Sequence, residues 1–186
     1  MNKILSINES LRQIGNAYYF HSGFGLYLRG LENSFDDCDI RVLHPNINEL
    51  YRTLSFMTKY TITLRGPIEY ENGNYNNPCI EIASNPEFDI CTKMINECND
   101  IERFEFPFDE KEFEDINNLD YQGKSLPVSS LESSLLYCLV LRRPKDERTI
   151  QKILGSSSFS KDKFEKYLNR INASHEIRTL YETRCN

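Results

Sequence analysis

The chain has 186 residues, a net charge of −6 and an apolar share of 39%. That length favours one domain, or one domain with a small appendage. Such a chain can bury about 70% of its unfolded surface without help from a disulfide or metal. The acidic balance argues against a broad basic face for duplex nucleic acid but leaves room for a local basic pocket. With 11 Phe and 11 Tyr spread along its length, the chain is not a disordered one. No run approaches the about 18 consecutive apolar residues of a membrane span. The N-terminus, MNKILSINESLRQ, turns polar too soon for a signal peptide, so the expected location is the cytoplasm. Cys38, Cys79, Cys91, Cys98, Cys138 and Cys185 form no C-x-x-C and sit near no paired histidines, which reads as reduced, mostly buried thiols.

Ser6-Ile7-Asn8-Glu9 has the pattern of a capping box, predicting a short helix with Leu11 and Ile14 on one side and Gly15 as its stop. Ala17 to His21 predicts a buried strand, and Ser22 to Gly30 a tight turn entering a helix. Asp37 to Val42 alternates strictly, a strand signal. Leu50, Leu54 and Met57 give helical spacing to Asn48–Tyr60, and β-branched alternation returns over Thr61–Leu64. Glu71-Asn72-Gly73-Asn74 and Asn76-Asn77-Pro78 carry turn chemistry. Cys79–Ala83 and Phe88–Thr92 predict a hairpin across Ser84-Asn85-Pro86. Residues 95–112, charged and aromatic, receive no assignment. Leu119–Val128 predicts a last hairpin centred on Gln122-Gly123.

Beyond it the pattern is helical. Ser129 or Ser130 caps a helix bearing Leu131, Leu135 and Leu139, and Pro144 starts the next, which Gly155 stops. Ser160 and Ser174 open two more. Mixed strands and helices followed by helices alone indicate a mixed α/β body with a helical C-terminal part.

On a strand, Asp37, Asp39 and Arg41 share one face, and Cys38, Ile40 and Val42 the other. Two carboxylates about 7 Å apart along a strand repel each other unless a cation or solvent compensates. Mg²⁺ accepts one or two carboxylates together with phosphate oxygens. Upstream, the strand ending at His21 runs through Ser22-Gly23 into a helix, where a glycine lets a phosphate approach backbone N–H groups. The bland alternatives are an exposed edge strand with solvated acids and a glycine needed only for its turn.

A strand, a Gly-Gly/Ser turn, a helix and then Asp-x-Asp on a strand is the signature of the nucleotidyltransferase superfamily. The sequence resembles that family over roughly residues 17–154, and above all its small bacterial aminoglycoside and lincosamide nucleotidyltransferases and its abortive-infection toxin relatives. The resemblance implies a central mixed sheet with flanking helices over residues 1–126 and a helical C-terminal part over 127–186. It implies that Asp37 and Asp39 are metal carboxylates, with Asp89, in Glu87-Phe88-Asp89-Ile90, as the third or as the acceptor of the hydroxyl proton. Ser22 and Gly23 would hold phosphates of the nucleotide. Arg143 and Lys145, in Arg143-Pro144-Lys145-Asp146, would serve as charge-assisted donors to the triphosphate or the acceptor. Three positions depart from the family. Ser22 replaces the first glycine, Tyr137 and Cys138 stand where a helix lysine is common, and Thr149 replaces a second acid.

The implied activity is Mg²⁺-dependent transfer of a nucleoside monophosphate from an NTP to an acceptor hydroxyl. A small hydroxylated acceptor is favoured over a tRNA end or a protein side chain. A tRNA end would need Arg142, Arg143 and Lys145 to combine with Lys93 or Arg65. The competing expectation is a catalytically decayed interaction or regulatory protein on the same fold, for which the three departures speak. His21, His44 and His175 are isolated, and Tyr18, Tyr19 or Tyr27 could line a base pocket.

Overall fold

A computed structural model describes residues 2–66, 68–70, 73–75, 78–92, 95–98, 101–105 and 115–185. The chain begins with α1 (Lys3–Ile14), β1 (Tyr18–His21), α2 (Ser22–Leu28), β2 (Asp37–Val42) and α3 (Ile47–Met57). Nine further strands follow: β3 (Ile62–Arg65), β4 (Ile68–Tyr70), β5 (Gly73–Tyr75), β6 (Cys79–Ile82), β7 (Glu87–Cys91), β8 (Ile95–Cys98), β9 (Ile101–Glu105), β10 (Asn117–Tyr121) and β11 (Lys124–Val128). Four helices complete it: α4 (Leu131–Leu141), α5 (Asp146–Leu154), α6 (Lys161–Arg170) and α7 (His175–Cys185).

Seven strands form one mixed sheet in the order β10-β11-β1-β2-β7-β6-β3. β1 runs parallel to β11, and β2 parallel to β7, whereas β1 and β2 are antiparallel. The mixed α/β class and the expected central sheet are therefore observed. β4, β5, β8 and β9 make a second, antiparallel sheet that the sequence reading did not anticipate. Two of its strands fall within the unassigned residues 95–112. Their pairing is with one another and with β5 rather than with sequence neighbours alone, so local pattern could not reveal it. Residues 71–72 and 76–77 of the two predicted turns lie outside the described residues.

The first helix is longer than its capping box suggested. Asn2, not Ser6, caps it, its side chain accepting from the Ile4 amide at 2.9 Å, and Gly15 ends it in the left-handed region at φ 82°. The other expected caps hold: Ser130 accepts from Ser133 N at 3.0 Å, and Ser160 from Lys163 N at 3.3 Å.

The period of two along β1 and β2 divides the large sheet into an apolar and a polar face. Phe20, Cys38, Ile40 and Val42 are fully buried under α1 and α3, with Leu11, Leu50 and Leu54. Tyr19, His21, Asp39 and Arg41 lie on the opposite face, toward α4. A second apolar cluster joins α4 to α7 through Leu135, Leu139, Ile150, Phe164, Leu168 and Ile177. α4 is apolar on nearly all sides because it is the helix that the others surround. Among the described residues, no helix is long and apolar enough to cross a membrane.

Cys38 sits at 0% exposure on the apolar face, and burial holds its thiol well above the usual range. Cys38→Ser should cost about 1–3 kcal/mol for an unpaired buried hydroxyl. Urea melts measure that loss, and slow thiol labelling of the native protein would accompany it. Rapid native labelling would mean that the two faces of β2 are reversed.

Candidate active site

A cleft of about 520 Å³ opens between the polar face of the sheet and the α4–α5 corner. Its floor is the junction of β1 with α2. Ser22 adopts φ 56°, a left-handed conformation that costs a non-glycine residue about 1–3 kcal/mol. Its hydroxyl lies 2.8 Å from His21 Nδ1 and also hydrogen-bonds Asp39. One hydroxyl proton can serve only one acceptor, so Ser22 donates to an ionised Asp39 when His21 carries its proton on Nδ1. The glycine expected at this turn would avoid the strain but could make neither bond. Gly23 follows, and a methyl group there would sit 3.7 Å from Asp37 Oδ1. The backbone thus passes directly beside that carboxylate.

Antiparallel pairing sets His21 opposite Asp39, and both Asp37 and Asp39 line the cleft. Burial is the main reason that Asp39 is pushed up to about 7. The neighbouring charge of Asp37 and the more distant Asp89 add to the rise, while Ser22 and Arg143 oppose it. His21 is held well below its usual value, first by burial and then by the cations of Arg41 and Arg143. It is therefore a neutral imidazole at physiological pH, its ring edge-on to Tyr137 at 5.4 Å. Arg41 shares the face of the two aspartates as the alternation predicts, but it is 3% exposed and packs over the Tyr19 ring at 5.9 Å.

The opposite wall belongs to Arg143, Pro144 and Lys145. Asp146, at 1% exposure, accepts from the Arg143 amide at 2.8 Å and from its guanidinium at 2.9–3.1 Å. The acid at the end of Arg143-Pro144-Lys145-Asp146 is thus a clamp that fixes the arginine over Tyr137, 5.5 Å from the ring centroid. Cys138 and Thr149, two of the departures, also line the cleft. Burial pushes the Cys138 thiol up to about 12, so it remains protonated.

Six of the seven candidate residues therefore meet in one cleft: Ser22, Gly23, Asp37, Asp39, Arg143 and Lys145. Asp89 stands apart. It registers beside Asp39 on β7, yet its carboxylate takes Arg65 at 3.3 Å and Cys79 Sγ at 3.5 Å and does not line the cleft. Among the described residues, no group of three His, Cys, Asp or Glu side chains is disposed to hold a metal ion. Two carboxylates with room for phosphate oxygens still suit Mg²⁺, which binds protein acids and substrate phosphates together. Sequence reasoning gave no role to Asp146, Arg41 or Tyr137. Only the i,i+3 spacing of Arg143 and Asp146 signalled one of them. Of the three tyrosines considered for a base pocket, Tyr19 lines the cleft, whereas Tyr18 bonds Asn8 and Tyr27 packs on Phe24 and Phe35.

The architecture is the nucleotidyltransferase fold. No protein-family model matches the sequence, and no curated protein matches it either. Among solved structures, a Thermotoga maritima protein provisionally described as a nucleotidyltransferase aligns over 81% of this chain and 89% of its own, at 18% identity and a TM-score of 0.55. The lincosamide antibiotic adenylyltransferase LnuA, bound to lincomycin, aligns over 82% and 94% at 13% identity with a TM-score of 0.51. ANT(2")-Ia in complex with adenylyl-2"-tobramycin aligns over 91% and 95% at 14% identity with a TM-score of 0.58. At such identities the likeness is one of fold.

Asp39 has a raised pKa in the folded chain, so its contribution to stability is present below about 3.8 and is lost as pH rises through about 7. Asp39→Asn removes that loss. In metal-free buffer the variant should be more stable than wild type at pH 8, by about 1–3 kcal/mol, and should keep only part of this advantage at pH 5. Thermal melts at the two values measure it. An equal advantage at both would show that the carboxylate is not compressed as described.

Proposed function

We propose that the chain transfers a nucleoside monophosphate from an NTP to an acceptor hydroxyl, with Asp37 and Asp39 as ligands of Mg²⁺. The observation that carries this reading is the pairing of two carboxylates in a cleft, on a fold shared with adenylyltransferases. A bound cation would relieve their repulsion and stabilise charge on the entering and leaving oxygens. Ser22 would orient Asp39 by its hydrogen bond, and the backbone at Gly23 would receive phosphate oxygens. Arg143, fixed by Asp146, and Lys145 would offset the charge of the triphosphate from the opposite wall.

The acceptor oxygen bonds to the α-phosphorus as the bond to the β-phosphate oxygen breaks, and pyrophosphate leaves. The hydroxyl proton needs a base. Asp89 is the next carboxylate on the sheet beside Asp39, and this reading assigns the proton to it once its carboxylate releases Arg65. A small hydroxylated acceptor remains favoured over a tRNA end or a protein side chain. Cytoplasmic residence fits the same reading.

The second reading is an inactive interaction protein on this fold. It draws support from the strained Ser22 at the expected glycine and from the engagement of Asp89 with Arg65. Calorimetry with ATP, GTP, CTP and UTP, with and without Mg²⁺, separates the two. Wild type should bind at least one nucleotide in a Mg²⁺-dependent manner, and Asp37→Asn should weaken that binding by about tenfold or more while the fold survives. Nucleotide binding that ignores both Mg²⁺ and the substitution, or no binding at all, would favour the inactive protein.

A further inference from the structure

A second cavity, of about 430 Å³, lies at the same end of the sheet as the cleft, between α6 and the outer strand β10. Lys163, Lys166 and Arg170 line it at i, i+3 and i+7 along α6, the spacing that puts three side chains in one stripe. Arg29 faces them from the end of α2, its guanidinium bonded to the carbonyls of Gly25 at 3.0 Å and Ser129 at 2.5 Å. Two acids also line the cavity. Asp115 is engaged by Arg170 at 2.6 Å, and Glu132 accepts from the Ser160 amide at 3.3 Å. Among the described residues, four cations against two acids leave a local positive excess in a chain of net charge −6. Among the described residues, Lys163 and Lys166 have no ion-pair partner. Burial lowers the Arg29 guanidinium to about 10, and the carboxylate of Glu132 opposes that fall.

The two spaces are neighbours. Ser129 lines the cleft and Ser130 the second cavity, so the residues leading into α4 are their common wall. Along their border, Tyr19, Ser129 and Ser133 of the cleft meet Asp115, Ser130 and Tyr167 of the second cavity. Register gives the separation. Asn117 pairs with Val128, Val128 with Phe20 and Phe20 with Ile40, the residue after Asp39. Three strand spacings amount to about 14 Å.

We propose that this cavity holds a phosphate group of the acceptor whose hydroxyl reaches Asp37 and Asp39 in the cleft. The inference rests on the nucleotidyl-transfer reading and narrows its acceptor to one that carries phosphate. Four cations would repel a polyamine-like acceptor and attract an anionic one. The triphosphate has its own cations in Arg143 and Lys145, so Lys163 and Lys166 are left for the other substrate. A phosphate monoester on a small sugar and a phosphodiester of a single strand share this chemistry, and the probes of the test distinguish them.

The test keeps the cleft filled with Mg²⁺ and an NTP that cannot be cleaved at its α,β bridge. Glucose 6-phosphate, an RNA tetranucleotide with a free 3′-hydroxyl, and glucose as the neutral control are titrated by calorimetry. At least one phosphate probe should bind where glucose does not. Lys163→Glu with Lys166→Glu should weaken it by about tenfold or more and flatten its salt dependence. Mg²⁺–NTP affinity should stay within about twofold, since neither lysine lines the cleft. Both lysines are exposed, and Lys166→Ala alone gives a milder variant should the double reversal unfold. Binding of the sugar phosphate assigns a monoester site, and binding of the tetranucleotide alone a phosphodiester site. Phosphate probes that bind no better than glucose, or equally to wild type and variant, would overturn the site. Wild type that fails to bind Mg²⁺–NTP would remove the acceptor role through the other reading, and Asp37→Asn reports on that one separately.

Discussion

Two carboxylates held on one face of a strand, in a partly buried cleft, are the constraint around which this end of the molecule is organised. Asp37 and Asp39 cannot separate, because the same strand places Cys38 and Ile40 in the core on its other side. The electrostatic conflict is instead met by the surroundings. Ser22 donates to Asp39 at the expense of a left-handed backbone, and Arg143 supplies a cation from the opposite wall. Arg143 is itself shared with Asp146, so its compensation is partial. What remains is a site whose own charges are out of balance.

The helices are divided between the two faces of the sheet according to this conflict. α1 and α3 cover the apolar face and make an ordinary core. α4 and the turn before it approach the polar face only along a line of small and aromatic residues, Ser129, Ser133, Ser134 and Tyr137, so a cleft persists where a layer of leucines would have closed it. Apolar packing of α4 against α5, α6 and α7 holds that line in place from behind.

Much of this arrangement is legible in the sequence because it is written in local periods. Asp37 to Val42 alternates without a break, and its limits match the strand. Ser130 and Ser160 precede apolar helical repeats, and Ser84-Asn85-Pro86 separates two β-branched runs. The second sheet left no such trace, since its strands carry charged and polar residues and depend on partners far along the chain. Site residues divide in the same way. Those next to one another in sequence, such as Ser22-Gly23 or Asp37-Cys38-Asp39, could be placed together by spacing. Asp89 could not, because its carboxylate is drawn to Arg65 on a strand two removed, and nothing local to either residue announces that bond.

Gly25 contributes to the cleft without touching it. A side chain there would press a β-carbon to 3.0 Å from Val128 Cγ1, so the missing methyl sets how closely α2 rests on β11. Ser22 and Gly23 open that same short helix and ride on it as a rigid tip. The height of the floor beneath the two aspartates is therefore gauged by an apolar contact on the far side of the helix. Variation at residue 25 would shift the polar geometry of the cleft while leaving every polar residue in place.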